Sequence, residues 1–173
     1  WILDRATVTA QSGNTLTLDN KSGYGIRDGW GFFLQNHPAA LDQPGEWCYA
    51  PATRQLTLYW PQGDPNTLRL TAPAPGAALE LAPGVAHVRI QGLRLSQSHS
   101  AALRAHDVTD LALLDCRIDN AGTDAILITG TGSALRLENN YIEQAYNNGI
   151  SIQQYDDVTI RGNTLRKIGV TPG

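Results

Sequence analysis

Three groups of side chains carry residue types that chemistry needs. Arg104 and His106 stand two residues apart, with Asp107 beside them. On a strand, alternate residues face the same way, so a guanidinium and an imidazole would share one surface. Together they can neutralise a carboxylate such as that of a uronate, and move a proton. His99 offers a second imidazole upstream. Asp119 and Asp124 form the second group. Two carboxylates about 5 to 9.5 Å apart serve as acid and base in glycoside hydrolysis. With backbone carbonyls they can also help bind calcium, a possible cofactor. The third group is Tyr146, Asn147 and Asn148, an apolar ring face next to amides, suited to contact a sugar. Each group also has a plain structural reading. Arg104 and His106 fit a solvated strand face. Asp119 and Asp124 fit turn caps. Tyr146 fits a loop packed on its neighbour.

Other chemistries have no sequence support. There is no G-x-S-x-G, no phosphate-binding G-x-x-x-x-G-K, no H-E-x-x-H and no Cys/His cluster. Cys48 and Cys116 lie far apart and lack metal-ligand spacing, as buried thiols would. The formal net charge is −3, from 13 basic and 16 acidic residues with no basic block. That excludes an obvious nucleic-acid surface. No apolar run is long enough to span a membrane as a helix.

The elements that must position these residues follow from a repeat. Segments beginning at Val88, Leu111, Leu135 and Val158 are spaced by 23, 24 and 23 residues. Their first, third and eighth positions are aliphatic in every copy, and the sixth reads Leu93, Cys116, Asn140, Asn163. A second register, starting at Ala102, Ala125 and Gly149, runs in step. Both alternate with the period of a strand. A period near 23 residues with three short strands closes as a coiled ribbon whose turns stack about 4.8 Å apart. The leucine-rich block L-x-x-L-x-L-x-x-N does not recur, and a two-sheet sandwich would show no fixed period.

Val158-Thr159-Ile160-Arg161-Gly162-Asn163-Thr164-Leu165 and Leu135 to Ile142 resemble the coil v-x-I-x-x-N-x-I of right-handed parallel β-helix proteins, the pectate-lyase-like superfamily. The resemblance covers roughly residues 85 to 170. It implies that the asparagines stack as a ladder at a tight turn, where Asn tolerates a left-handed backbone and its amide satisfies buried groups. Leu93 and Cys116 break that ladder. It also implies that the strands at Ala102, Ala125 and Gly149 form the first sheet. The outer face of that sheet, with its flanking loops, would be a groove for an extended polymer. Arg104, Leu127 and Ser151 face out there, followed by His106, Thr129 and Gln153. The loops add His99, Asp119, Asn120, Asp124, Tyr146, Asn147 and Asn148.

The front of the chain lacks the repeat. Thr7 to Leu18 reads as one hairpin and Glu46 to Trp60 as another. Leu41-Asp42-Gln43-Pro44-Gly45-Glu46-Trp47 resembles the L-D-x-P-G-E-W-Y-Y-D stretch of a small β module in secreted bacterial β-helix proteins, many of them polysaccharide lyases or glycoside hydrolases. Cys48 stands where the first Tyr would, and Ala50 where the Asp would. The aromatics of this module are expected to form its core.

The expectation is therefore an all-β chain: a β-hairpin module over 1–84, then a right-handed parallel β-helix over 85–173. The resemblance implies a secreted, periplasmic or cell-surface protein that cleaves a polysaccharide as lyase or hydrolase. Arg104, His106 and Asp124 would be catalytic, and His99, Asp119, Tyr146, Asn147, Asn148 and Gln153 would contact substrate. The alternatives are a glycan-binding or adhesion module without turnover, and a structural solenoid. Trp1 opens in a strand-like pattern and the repeat runs to Ile168, so the sequence is expected to be a piece of a longer protein with further coils, or to self-associate through that end.

Overall fold

The computed structural model describes residues 6–19, 27, 29–73 and 75–170. Two compact units divide between Leu70 and Thr71.

In the first unit, β1 (Val8–Ser12) and β2 (Thr15–Leu18) pair antiparallel around Gly13 and Asn14. Gly13 has φ 57°, the left-handed value that a two-residue hairpin turn demands. A second hairpin pairs β3 (Trp47–Ala50) with β4 (Gln55–Leu58). The turn leading into it is tied by one carboxylate. Glu46 accepts the backbone N–H groups of Asp42 and Gln43 at 2.7 and 2.8 Å. Those of Gln43 and then Asp42 hold its pKa below the usual carboxylate value. Glu46, four residues after Asp42 and three after Gln43, is thereby placed to cap this turn. Asn36 acts as a surrogate third strand, accepting from Tyr49 N at 2.6 Å and donating to Tyr49 O at 3.1 Å.

The aromatic core expected here is not what forms. Trp47 is 59% exposed and Phe32 80%, while Cys48 is the buried member of β3. Trp47 and Tyr49 share one face of the strand, opposite Leu58 and Leu56, and Cys48 points to the other. A two-stranded ribbon finds cover for only one of its faces.

The second unit is a parallel β-solenoid of four coils. The first coil holds β5 (Leu79–Leu81), β6 (Ala86–Gln91) and β7 (Arg94–Ser98). The second holds β8 (Leu103–His106), β9 (Thr109–Leu114) and β10 (Arg117–Ala121). The third holds β11 (Ile126–Thr129), β12 (Gly132–Glu138) and β13 (Tyr141–Ala145). The fourth holds β14 (Ile150–Ile152), β15 (Tyr155–Arg161) and β16 (Thr164–Ile168). Like strands stack into three parallel sheets in the orders β5-β8-β11-β14, β6-β9-β12-β15 and β7-β10-β13-β16. The repeat in the sequence is the register of these sheets: Leu95, Ile118, Ile142 and Leu165 are paired neighbours, and so are Val88, Leu111, Leu135 and Val158. In the second and third coils these side chains fill the interior, where Leu103, Leu113, Ile118, Ile126, Ile128, Leu135, Leu137 and Ile142 are fully buried, while Val158 and Leu165 of the fourth coil are exposed. Solenoid pairing already begins at β5. The sequence pattern placed the front module as far as residue 84, because Leu79-Glu80-Leu81 is too short to show a period.

What closes each coil is a set of left-handed residues. Gly92, Asp115, Asn139 and Gly162 all have positive φ at the corner between the second and third sheets. Gly84, Asp107, Gly130 and Gln154 do so between the first and second. His87, Asp110, Ala134 and Asp157, and then Gln97, Asn120, Gln144 and Lys167, make two further columns. A non-glycine residue held this way costs about 1 kcal/mol or more, less for Asn and Asp, so neighbouring rungs must over-determine it.

The asparagine ladder exists, but the backbone role expected of it belongs to the residue before. Asn140 and Asn163 are absent from the positive-φ set, which takes Asn139 and Gly162 instead. The ladder works through amides. Asn140 Oδ1 accepts from Cys116 N at 2.9 Å, and its Nδ2 donates to Leu113 O and Asn163 Oδ1, both at 2.9 Å. Asn163 Oδ1 accepts from Asn140 N at 2.9 Å, and its Nδ2 donates to Leu137 O at 2.6 Å. Each amide thus satisfies backbone groups of the coil below. Cys116 is buried in the same column, while Leu93 is 50% exposed.

One side chain reaches past its neighbouring coil. Tyr155 Oη accepts from Val108 N at 2.9 Å and donates to Thr129 O at 3.2 Å. The ring passes Gly132, where a Cβ would lie 2.5 Å from Tyr155 Cε1 and 2.1 Å from Val108 O. Glycine is required there for space.

Candidate functional site

The residues singled out from the sequence fall into three places. Arg104 and His106 belong to the outer face of the first sheet, and Gln153 is exposed just after its last strand, β14 (Ile150–Ile152). His99, Asp124, Tyr146, Asn147 and Asn148 lie where the chain turns from the third sheet back to the first. Asp119 is a strand residue in β10, on the third sheet, rather than a loop residue. It sits beneath side chains of its own sheet.

On the first sheet, alternation puts Leu103 and Ala105 inside and Arg104 and His106 outside. Register then stacks Glu80, Arg104, Leu127 and Ser151 in one column and pairs His106 with Thr129. His106 is gripped at both ring nitrogens. Nε2 lies 3.1 Å from Asp107 Oδ2, and Nδ1 lies 3.0 Å from Thr129 Oγ1. The carboxylate can only accept, so in the neutral ring Nε2 carries the hydrogen and Nδ1 accepts from the threonine hydroxyl. Asp107 is itself fixed: its Oδ1 accepts from Thr131 N at 2.8 Å, and its backbone is left-handed with φ 50°. Gly130 allows this approach, since a Cβ there would lie 2.2 Å from Asp107 Oδ1. The result is a chain of hydroxyl, imidazole and carboxylate, with half of the His106 side chain exposed. Thr129 and Gly130 are the members that sequence reasoning did not single out for chemistry. The strand register, Thr129 opposite His106, was the available signal.

Arg104 extends the same face. Its Nη2 donates to Ser100 Oγ at 3.1 Å, and its Nη1 lies 4.0 Å from Glu80 Oε1. Both charges are substantially exposed, so the pair holds the guanidinium loosely and leaves N–H groups for a ligand.

The expected carboxylate pair does not assemble. Asp124 is buried, and its Oδ1 accepts from Asn148 N at 3.1 Å, Asn148 Nδ2 at 2.6 Å and Asn147 Nδ2 at 3.3 Å. It caps the turn of the next coil. Asp119 is 3% exposed and accepts from Arg94 Nε at 2.8 Å, Arg94 Nη2 at 3.1 Å, Ser96 Oγ at 2.5 Å and Arg117 Nε at 3.3 Å. Burial alone would raise its pKa. The donors from Arg94, Ser96 and Arg117 outweigh it and bring the value down to about 2. Asp119 is therefore ionised at neutral pH and cannot serve as a general acid. Nor do the two acids fit calcium: Asp119 is covered by two guanidinium groups that repel a cation, and Asp124 Oδ1 is filled by amide donors. Among the described residues, no group of three or more His, Cys, Asp or Glu side chains is placed to hold a metal ion, and no helix is long and apolar enough to cross a membrane.

His99 is exposed in the loop after β7, and Tyr146 is half-buried with its N–H donating to Ala121 O at 3.0 Å. Asn147 and Asn148 are exposed but committed to Asp124.

Compared with protein families, residues 78–169, just over half of the chain, match the one described as a right handed beta helix region. Searches of curated proteins and of solved structures gave no match.

Proposed function

Because this chain belongs to the right-handed β-helix family, we propose that the outer face of its first sheet binds an extended acidic glycan and cleaves it by β-elimination. The observation that carries this reading is the His106 imidazole, held between Asp107 and Thr129 on an exposed face two residues from Arg104. Arg104 would pair with a uronate carboxylate and so favour loss of the proton on C5. His106 Nδ1 would take that proton once the Thr129 hydroxyl turns away, and the resulting imidazolium would be stabilised by Asp107. The electron pair left on C5 forms the C4–C5 double bond and expels the C4 oxygen, which takes a proton from water or from the imidazolium. Gln153 would contact a sugar two rungs on. The resemblance to secreted lyases and hydrolases of this architecture supports the substrate class and an extracellular or cell-surface setting. It supports them by analogy of fold. The turn residues His99, Asp124, Tyr146, Asn147 and Asn148 serve as the rim of the groove in this reading, with Asp124 a cap rather than a catalyst.

A specific observation favours a second reading, glycan binding without turnover. Leu127 and Ser151 continue the Arg104 column with little charge, and both candidate hydrolytic acids are occupied. One experiment separates the two. The protein is incubated with polygalacturonate, alginate and a neutral glucan, and both unsaturated-uronate absorbance and reducing ends are followed. Absorbance that disappears in His106→Ala supports elimination. Reducing ends without absorbance would overturn it in favour of hydrolysis, and retention on a glycan column without either signal would leave the binding module.

A further inference from the structure

The third sheet carries a second surface of a different kind. Its outer positions stack as two columns: Arg94, Arg117, Tyr141 and Thr164, beside Ser96, Asp119, Glu143 and Arg166. Lys167 joins them, its Nζ 3.7 Å from Glu143 Oε1. The face thus holds four cations against two carboxylates, an excess of two positive charges on a chain whose formal charge is −3.

Two of these cations, Arg94 and Arg117, are pre-set. Arg94 lies along Asp119 through Nε and Nη2. Arg117 bridges Asp119 and Glu143 and rests 4.8 Å from the Tyr141 ring centroid. Both guanidinium groups remain substantially exposed, so N–H groups beyond those spent on the carboxylates face solvent. Side chains already held in place lose little conformational freedom when a ligand arrives. Arg94 and Arg117 stand one rung apart, and Arg166 closes the stripe about 14 Å from the first rung.

We propose that this face is a binding surface for an acidic polysaccharide, separate from the first-sheet groove. A single flexible chain with anionic groups at intervals can follow a stripe two columns wide. A nucleic-acid duplex would overhang onto the rest of an acidic molecule. The stripe runs along the solenoid axis, so a polymer lying on it meets a cation in the first, second and fourth coils.

The test measures binding of the whole chain to polygalacturonate, with dextran as the neutral control and a short DNA duplex as the rival polyanion, across a salt series. The informative variant is Arg166→Gln with Lys167→Gln. It leaves the Asp119 cluster untouched, and glutamine already occupies the left-handed position of Lys167 in the first and third coils, as Gln97 and Gln144. It is expected to weaken polygalacturonate binding about 5- to 10-fold at low salt and to flatten the salt dependence. Arg94→Gln with Arg117→Gln should weaken it further, checked against urea unfolding because it uncovers Asp119. In the Arg104→Ala/His106→Ala background, which removes turnover and the first-sheet contacts, polygalacturonate should still bind, and adding Arg166→Gln/Lys167→Gln should weaken that remaining binding. Unchanged affinity in Arg166→Gln/Lys167→Gln, with loss in the first-sheet variant, would overturn the proposal and leave the first-sheet reading standing. Equal affinity for the DNA duplex, or none for polygalacturonate, would overturn it as well.

Discussion

The first and third sheets are built on one lattice, with the same rung spacing and the same inward aliphatic positions, yet they treat charge in opposite ways. On the third sheet, Asp119 is sealed under Arg94 and Arg117. On the first, Asp107 lies at the rim and holds an imidazole that stays half exposed. A carboxylate sealed under its partners stabilises; one left open at a rim stays available to a ligand. The difference arises from neighbours. Asp119 has arginines on its own rung and the rung before it. Arg104 and His106 have Leu127 and Thr129 in the next coil.

The largest expected effect breaks the sealed side. Asp119→Ala removes an acceptor of several charge-assisted bonds and should cost about 2–3 kcal/mol in urea unfolding, whereas His106→Ala should stay within about 0.5 kcal/mol. The next concerns acid. The Asp119 pKa is depressed from 3.8 to about 2, so its contribution of about 2 kcal/mol is present above pH 4 and fades as pH falls toward 2. Acid titration of unfolding free energy should show that slope, and Asp119→Asn should remove it.

Smaller effects sharpen the open side. Gly130→Ala places a Cβ against Asp107 Oδ1 at a position with φ 84°. It should cost about 1 kcal/mol and, by moving Asp107, reduce whatever turnover the wild type shows more than it reduces glycan affinity. The smallest change is Thr129→Val. Stability should shift by less than about 1 kcal/mol, while nitrogen NMR should show His106 Nδ1 without its hydroxyl partner and Nε2 still protonated against Asp107.

Much of this was legible in the sequence. The 23-residue period is the register itself, because Leu95, Ile118, Ile142 and Leu165 must face one shared interior. The column pairing Arg104 with Leu127 and Ser151 followed from the same spacing. The corners were not legible. His87, Ala134 and Lys167 take left-handed backbones with no residue-type signal, because coil closure imposes them from outside. Asp119 and Asp124 look equivalent as letters. Their fates diverge because Arg94 is 25 residues away in sequence and one rung away in space, whereas Asn147 and Asn148 arrive from the following coil. The exposed aromatics of the β3–β4 hairpin belong to the same class of result, since composition does not reveal which face a two-stranded ribbon covers.

The Tyr155 hydroxyl has a consequence for how the solenoid comes apart. Stacked coils ordinarily behave as a one-dimensional chain whose units feel only their nearest neighbours, so melting can start at an end and proceed rung by rung. By reaching across Gly132 to Val108, Tyr155 couples the fourth coil to the second. Fraying of the last coil then removes a bond from a coil two steps away. The second, third and fourth coils should open together in amide exchange, as one foldon, with the first coil left to open separately.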